Sequence, residues 1–149
     1  MARKVPDEVQ KVFDKYTINF VRRLNKVTAL RMFKEEFQLD DDRSELMFEM
    51  FDKDGNDILS AWEFYLFYTT FGYNSNEYLE RFEKLNGGKG TADIAGLFDF
   101  LKELKTLSGR AFEDEEVEKA IMGCAGDKDR SIDKKKFIEL VCRIKLTRH

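Results

Sequence analysis

Phe64 stands thirteen positions after Phe51, and Phe137 thirteen positions after Cys124. Each of these residues ends or begins an apolar stripe. Met47, Phe48 and Phe51 lead into the first gap, and Phe64, Phe67, Tyr68 and Phe71 lead out of it. Val117, Ala120, Ile121 and Cys124 lead into the second, and Phe137, Leu140, Val141 and Ile144 lead out. Steps of three and four place each stripe on one face of a helix. Such a chain must form helix, loop and helix, with both apolar faces turned toward one core.

Two weaker copies occupy the remaining sequence. Val9, Val12, Phe13 and Tyr16 follow a helix start at Pro6-Asp7-Glu8, where proline suits the first turn. Leu30, Phe33 and Phe37 form the matching outgoing stripe, after a loop that reads as longer than the others. Tyr78, Phe82 and Leu85 lead into the third unit, and Leu97, Phe100, Leu101 and Leu104 lead out. Leu85 and Leu97 are 12 residues apart, one fewer than in the strong copies. Gly72 supplies a helix stop, with Asn74 or Ser75 as the next N-cap. Four units account for nearly the whole chain and predict an all-α fold of eight main helices. Fourteen Phe against one Pro suits packed helices joined by few rigid loops.

A chain of 149 residues is long enough for one compact unit or two small lobes. Its charge is unevenly spread. Residues 1–38 carry nine Lys and Arg against five acids, whereas residues 39–63 carry two against nine. No apolar run approaches the roughly 18 residues that would cross a bilayer. The start MARKVPDEV has no signal-type apolar segment, and Ala2 stands where myristoylation needs glycine. A cytoplasmic monomer without a membrane span is expected. Cys124 and Cys142 lie on apolar stripes and are expected as buried thiols in a reducing compartment.

The only histidine is His149, so no Ser-His or Cys-His catalytic pair can be built without the last residue. The chain is therefore not expected to be an enzyme. Glu35 and Glu36 read as solvated helix face. Arg22, Arg23, Lys26 and Arg31 read as scattered surface charge, and with no aromatic-basic interleaving no nucleic-acid partner is expected.

The acidic block centres on the loop FDKDGNDILSAWEF, Phe51 to Phe64. Asp52, Asp54 and Asn56 fall at every second position, with Asp57 beside them and Glu63 seven residues after Asn56. Uncompensated, these carboxylates would repel one another. The loop invites a cation.

These units resemble the EF-hand family, four motifs paired calmodulin-fashion into two lobes. The resemblance implies an N-terminal pair over 1–73, its first hand degenerate and its second competent, and a C-terminal pair over 74–149 with both hands degenerate. The family's loop wants Asp, then Asp or Asn twice, at positions 1, 3 and 5, Gly at 6 and Glu at 12. Asp52, Asp54, Asn56 and Glu63 match. Ca²⁺ takes about six to eight hard oxygens at about 2.3–2.6 Å. The resemblance assigns these to the side chains of Asp52, Asp54 and Asn56, the backbone carbonyl of Ile58, a water held by Ser60, and both oxygens of Glu63. Mg²⁺ is the natural competitor. Asp57 replaces the glycine that makes the left-handed turn, at a cost on the order of 1 kcal/mol.

The other loops depart further. In the last, Ala125 to Lys136, Asp127, Asp129 and Asp133 hold positions 3, 5 and 9, but Ala125 and Lys136 hold 1 and 12. Lys136 or Arg130 is expected to pair with Asp127 and Asp129, leaving that loop metal-free. The third loop, NGGKGTAD, has almost no oxygen ligands and the wrong order and context for a phosphate-binding loop. The first has Arg22, Arg23 and Leu24 where carboxylates are needed. In the family, paired loops touch through a short β-contact. Val27 and Leu59 are expected to make it in the first lobe, and Ile132 with a residue near Ala92 in the second.

A finer resemblance, over about a quarter of the chain, runs from FDKDGNDILSAWEF through Phe71-Gly72-Tyr73 to Phe82 and Leu85. It is similar to the invertebrate sarcoplasmic calcium-binding proteins and calexcitin, which are compact. Met32, Met47 and Met50 put any adaptable target groove in the first lobe. Three functions follow as expectations: a Ca²⁺ sensor or Ca²⁺-regulated interaction protein that takes a target helix, a compact buffer of sarcoplasmic type, or a Ca²⁺-independent adaptor resembling a myosin light chain.

Overall fold

In the computed structural model, which describes residues 5–17, 23–87, 91–107, 109–125 and 131–146, the apolar stripes run along helices. The order is α1 (Asp7–Asp14), β1 (Arg23–Asn25), α2 (Lys26–Phe37), α3 (Asp41–Phe51), β2 (Ile58–Ser60) and α4 (Ala61–Thr70), then a 3-10 turn (Gly72–Asn74). It continues with α5 (Ser75–Asn86), β3 (Thr91–Asp93), α6 (Ile94–Glu103), α7 (Asp114–Ala125), β4 (Ser131–Asp133) and α8 (Lys134–Leu146). Among the described residues eight helices carry the fold, as expected of an all-α chain, and the strands are three-residue contacts between loops. No helix among the described residues is long and apolar enough to cross a membrane.

The chain divides into two compact units, Met1–Asn76 and Glu77–His149. The division falls three residues past the expected boundary at 73, because the start of α5 is tied back. Asn76 Nδ2 donates to the Gln38 carbonyl at 3.0 Å, and Arg43 donates to Asn76 Oδ1 at 2.7 Å. Neither Asn74 nor Ser75 caps α5 as expected. The 3-10 turn joins α4 to α5 directly, and the Ser75 hydroxyl donates to the Gly72 carbonyl at 2.6 Å.

In the first unit β1 pairs antiparallel with β2, Leu24 opposite Leu59. This corrects the expected Val27–Leu59 contact. Leu24 is buried, while Val27 lies in the first turn of α2 and is 79% exposed. The first loop is longer than the second, as expected: residues 15–25 join α1 to α2, against 52–60 between α3 and α4. In the second unit Ala92 pairs with Ile132, as expected. There the register puts Leu85 seven residues before the pair, in the last turn of α5, and residues 87–93 joining α5 to α6 make a shorter loop than 52–60 or 126–133, as expected. Leu85 is 39% exposed, and Leu79 and Phe82 are the buried apolar residues of α5.

Phenylalanine rings fill the first core. Phe67 lies 4.8 Å from Phe33, 4.9 Å from Phe37 and 5.5 Å from Phe51, ring centre to ring centre, each edge to face. Such pairs add about 0.5–1.5 kcal/mol each beyond their buried area. Met32 and Met47, two of the three methionines expected to line a groove, are fully buried among them, while Met50 is half-buried. In the second unit Phe137 packs on Phe82 and Phe100. Phe112 is also buried there, in the segment between α6 and α7 that carries no helical period, and its carbonyl accepts from Lys102 at 2.6 Å.

Candidate cation-binding loop

The loop from Asp52 to Glu63 is strung between two helix ends. Helix α3 begins where Asp40 accepts the Arg43 N–H at 2.8 Å and ends where Asp52 takes over as C-cap. Helix α4 begins at Ser60, whose hydroxyl accepts the Glu63 N–H at 3.1 Å while Glu63 Oε1 accepts the Ser60 N–H at 3.0 Å. This reciprocal capping box satisfies two donors that a helix start otherwise leaves open. Ser60, expected to act through a water, thus has a structural role in its own right.

Two carboxylates at the ends of the loop are buried. Glu63 is 6% exposed, and its second oxygen accepts the Lys53 N–H at 2.8 Å, so both its oxygens are held by backbone donors. Asp52 is 9% exposed, and its Oδ2 accepts the Asp57 N–H at 2.9 Å. Its Oδ1 is buried and accepts no hydrogen bond. The one other such side-chain atom among the described residues is the neutral Ser44 Oγ. A buried hydroxyl without a partner is a modest cost, whereas a carboxylate oxygen carries charge and calls for a cation or a donor.

Between these ends the chain makes two left-handed turns, Gly55 at φ 65° and Asp57 at φ 59°. Asp57 therefore adopts the conformation that the missing glycine would have taken. Asn56 Oδ1 accepts the Ile58 N–H at 3.1 Å, fixing the approach to the strand, and Ile58 pairs with Asn25 across the β-contact. Asp54 and Asn56 stand exposed to solvent. Among the described residues no three acidic, histidine or cysteine side chains converge closely enough to hold an ion. The loop thus brings Asp52 and Glu63 onto backbone N–H groups and leaves Asp54 outside them. Mutual repulsion explains the arrangement, since each carboxylate moves to the nearest donor.

The corresponding places elsewhere hold different chemistry. Counted from the β-contacts, Asp52 and Glu63 correspond to Thr17 and Thr28 in the first loop, Leu85 and Gly96 in the third, and Ala125 and Lys136 in the fourth. Leu85 lies against Gly96: a methyl group added at Gly96 would come within 2.8 Å of Leu85 Cδ2. An apolar contact thus stands where the second loop has two acids. Asp133, at the place of Ser60, accepts the Lys136 N–H at 2.8 Å, and Asn25 accepts the Thr28 N–H at 2.9 Å. Three loops share one capping position with three different side chains. The expected pairing of Lys136 or Arg130 with Asp127 and Asp129 lies outside the described residues, as do Arg22, Gly88 to Gly90 and His149. Cys142, expected as a buried thiol, is only half-buried.

One expectation about the acids is overturned. Glu35 is solvated, but the Glu36 side chain is only 16% exposed. It accepts from the Tyr73 hydroxyl at 2.9 Å, the Tyr16 hydroxyl at 3.3 Å and the Lys15 ammonium at 3.4 Å. Burial pulls its carboxyl upward, but the donors from Tyr73, Lys15 and Tyr16 outweigh it and hold the group below its usual range. Burial, with Glu36 beside it, pushes the Tyr73 phenol up to about 12. The helical period of α2 places Glu36 at its C-terminal end. Nothing local in the sequence shows that residues of α1 and of the turn after α4 meet it there.

No protein-family model matches this chain, and no curated protein matches its sequence.

Proposed function

We propose that this protein is a Ca²⁺-binding protein of EF-hand type, with four hands paired in two lobes and one working site at Asp52, Asp54, Asn56, Ile58, Ser60 and Glu63. The observation that carries the reading is the buried, unpartnered Oδ1 of Asp52 in a loop with three further acids. The donor set fits a hard cation: carboxylate, amide and carbonyl oxygens, and no thiol or imidazole. Asp52 and Glu63 would hold the ion from the two helix ends, Asp54 and Asn56 from the exposed edge, and Ile58 through its carbonyl. Bound Ca²⁺ would supply positive charge where four acids crowd together. Mg²⁺ would compete less well, because it demands a smaller, near-octahedral site.

We read the protein as a sensor or Ca²⁺-regulated interaction protein of the cytoplasm. Glu63 ties the loop to the first turn of α4, and the next residues on that helix face, Phe64 and Phe67, are core. Drawing Glu63 onto an ion therefore strains the aromatic packing of the first unit, which is how a local charge event gains a wider consequence. A second reading, a compact buffer, is favoured by the completeness of that core, in which Met32 and Met47 are fully buried. Apolar-dye binding with and without Ca²⁺ separates them: dye bound only with Ca²⁺ supports the sensor, and none in either state supports the buffer.

The site is tested by calorimetry. One Ca²⁺ per chain is expected, lost in Asp52→Ala/Glu63→Gln. Trp62, the only tryptophan, precedes Glu63 and packs on Tyr65 at 5.1 Å, so it should sensitise Tb³⁺ emission that Ca²⁺ displaces. Two tight sites, or a signal abolished by Asp127→Ala/Asp129→Ala instead, would move the site to the other unit.

A further inference from the structure

The acidic loop uses none of the cluster around Glu36, which lies at the far end of α2. Lys15 and Tyr16 follow α1, Glu36 belongs to α2, and Tyr73 belongs to the turn after α4. Tyr73, 57% exposed overall, packs on Phe37 at 4.8 Å and on Tyr68 at 5.8 Å. Tyr68, on α4, donates in turn to Glu8 of α1 at 3.2 Å. Helix α1 packs on α4 and α2 on α3, while α3 and α4 also pack on each other across the two pairs. The first unit is thus two helix pairs, and the Glu36 carboxylate is held by groups from the other pair.

We propose that Glu36, Tyr73 and Tyr16 form a latch that holds the α2–α3 pair closed against the α1–α4 pair and sets how readily the first unit opens. The reasoning is energetic. A half-buried carboxylate is stable only while its donors stay in place, and here two of the three are phenols on elements that must move if α2 swings away. The faces covered by the latch are apolar: Phe33, Phe37 and Phe67 are buried beneath it. Opening would expose them as a surface for an amphipathic partner helix. The proposal rests on the Ca²⁺ reading in one respect. If the ion favours the open arrangement, a latch that favours the closed one lowers the apparent affinity by linkage.

Tyr73→Phe is the discriminating variant, because it removes one hydroxyl and leaves the ring on Phe37 and Tyr68. Glu36→Gln is the second, keeping shape and losing charge. Each is expected to raise apolar-dye binding without Ca²⁺ and to tighten Ca²⁺ binding about threefold to tenfold, the range open to one charge-assisted hydrogen bond. In Glu36→Gln the Tyr73 phenol should also titrate lower, falling from about 12 toward 10.0. A merely structural hydrogen bond would lower the unfolding midpoint and leave dye binding and affinity unchanged, and that result overturns the latch. Should the wild type bind no Ca²⁺, the reading of the acidic loop fails. The latch is then judged by ion-free dye binding and by hydrogen exchange of the α2 amides, and wild-type values in both variants overturn it too.

Discussion

Asp52 and Leu85 each stand seven residues before the central residue of a β-contact, one capping the end of α3 and the other in the last turn of α5. One is a buried carboxylate with an oxygen left open, and the other is a leucine resting on a glycine. Both loops nevertheless join helices whose apolar faces pack and whose strands pair. Buried rings and a central strand pair build the frame, and the frame is indifferent to what the loop carries. The chemistry lies in a few positions that can be emptied without loss of the fold.

The largest expected effect tests the frame. Phe67→Ala should cost the first unit about 3–5 kcal/mol, and Phe137→Ala the second a similar amount. Urea unfolding followed by Trp62 fluorescence reports the first, and hydrogen exchange the second. A loss below about 1 kcal/mol at Phe67 would mean that the ring cluster is not what holds the unit together.

Next comes the asymmetry itself. Ca²⁺ at a hundred times its dissociation constant should stabilise the first unit by about 2.7 kcal/mol and leave the second unmoved. Equal protection of α7 and α8 amides would abolish the distinction between the two units.

Asp57 offers a finer probe. Its φ of 59° is a left-handed conformation that a side chain resists, so Asp57→Gly should tighten Ca²⁺ binding by up to about tenfold, or ~1 kcal/mol. Unchanged or weaker binding would assign the Asp57 carboxylate a part in holding the ion.

The smallest effect belongs to Gly96, in the first turn of α6. Gly96→Ala gains about 1 kcal/mol of helix propensity and puts a methyl group 2.8 Å from Leu85 Cδ2, too close unless the leucine turns aside. Because Leu85 is 39% exposed and free to turn outward, the net change in melting should be within about 1 kcal/mol. A large loss would show that the Leu85–Gly96 contact is a structural substitute for an ion rather than filling.

Several of these features were legible in the sequence. The stripes at Met47, Phe48 and Phe51 and at Phe137, Leu140 and Val141 are buried as their spacing demands. Asp57 was readable as a left-handed residue from its place in the loop. Glu36 was not, because its partners Tyr16 and Tyr73 are 20 and 37 residues away. Phe112 was missed for a similar reason: a single ring in a non-helical segment carries no period.

By itself, the sequence determined what depends on near neighbours: eight amphipathic helices, the loops between them, and the crowding of acids from Asp52 to Glu63. Helical period and charge density are local properties that any short window reveals. Tertiary structure alone decided the register that sets Leu24 and not Val27 against Leu59. It also decided which acids are buried, leaving Glu35 in water and placing Glu36 among phenols. Those outcomes depend on which distant residues a side chain meets when the helices close, and no spacing along the chain encodes that meeting.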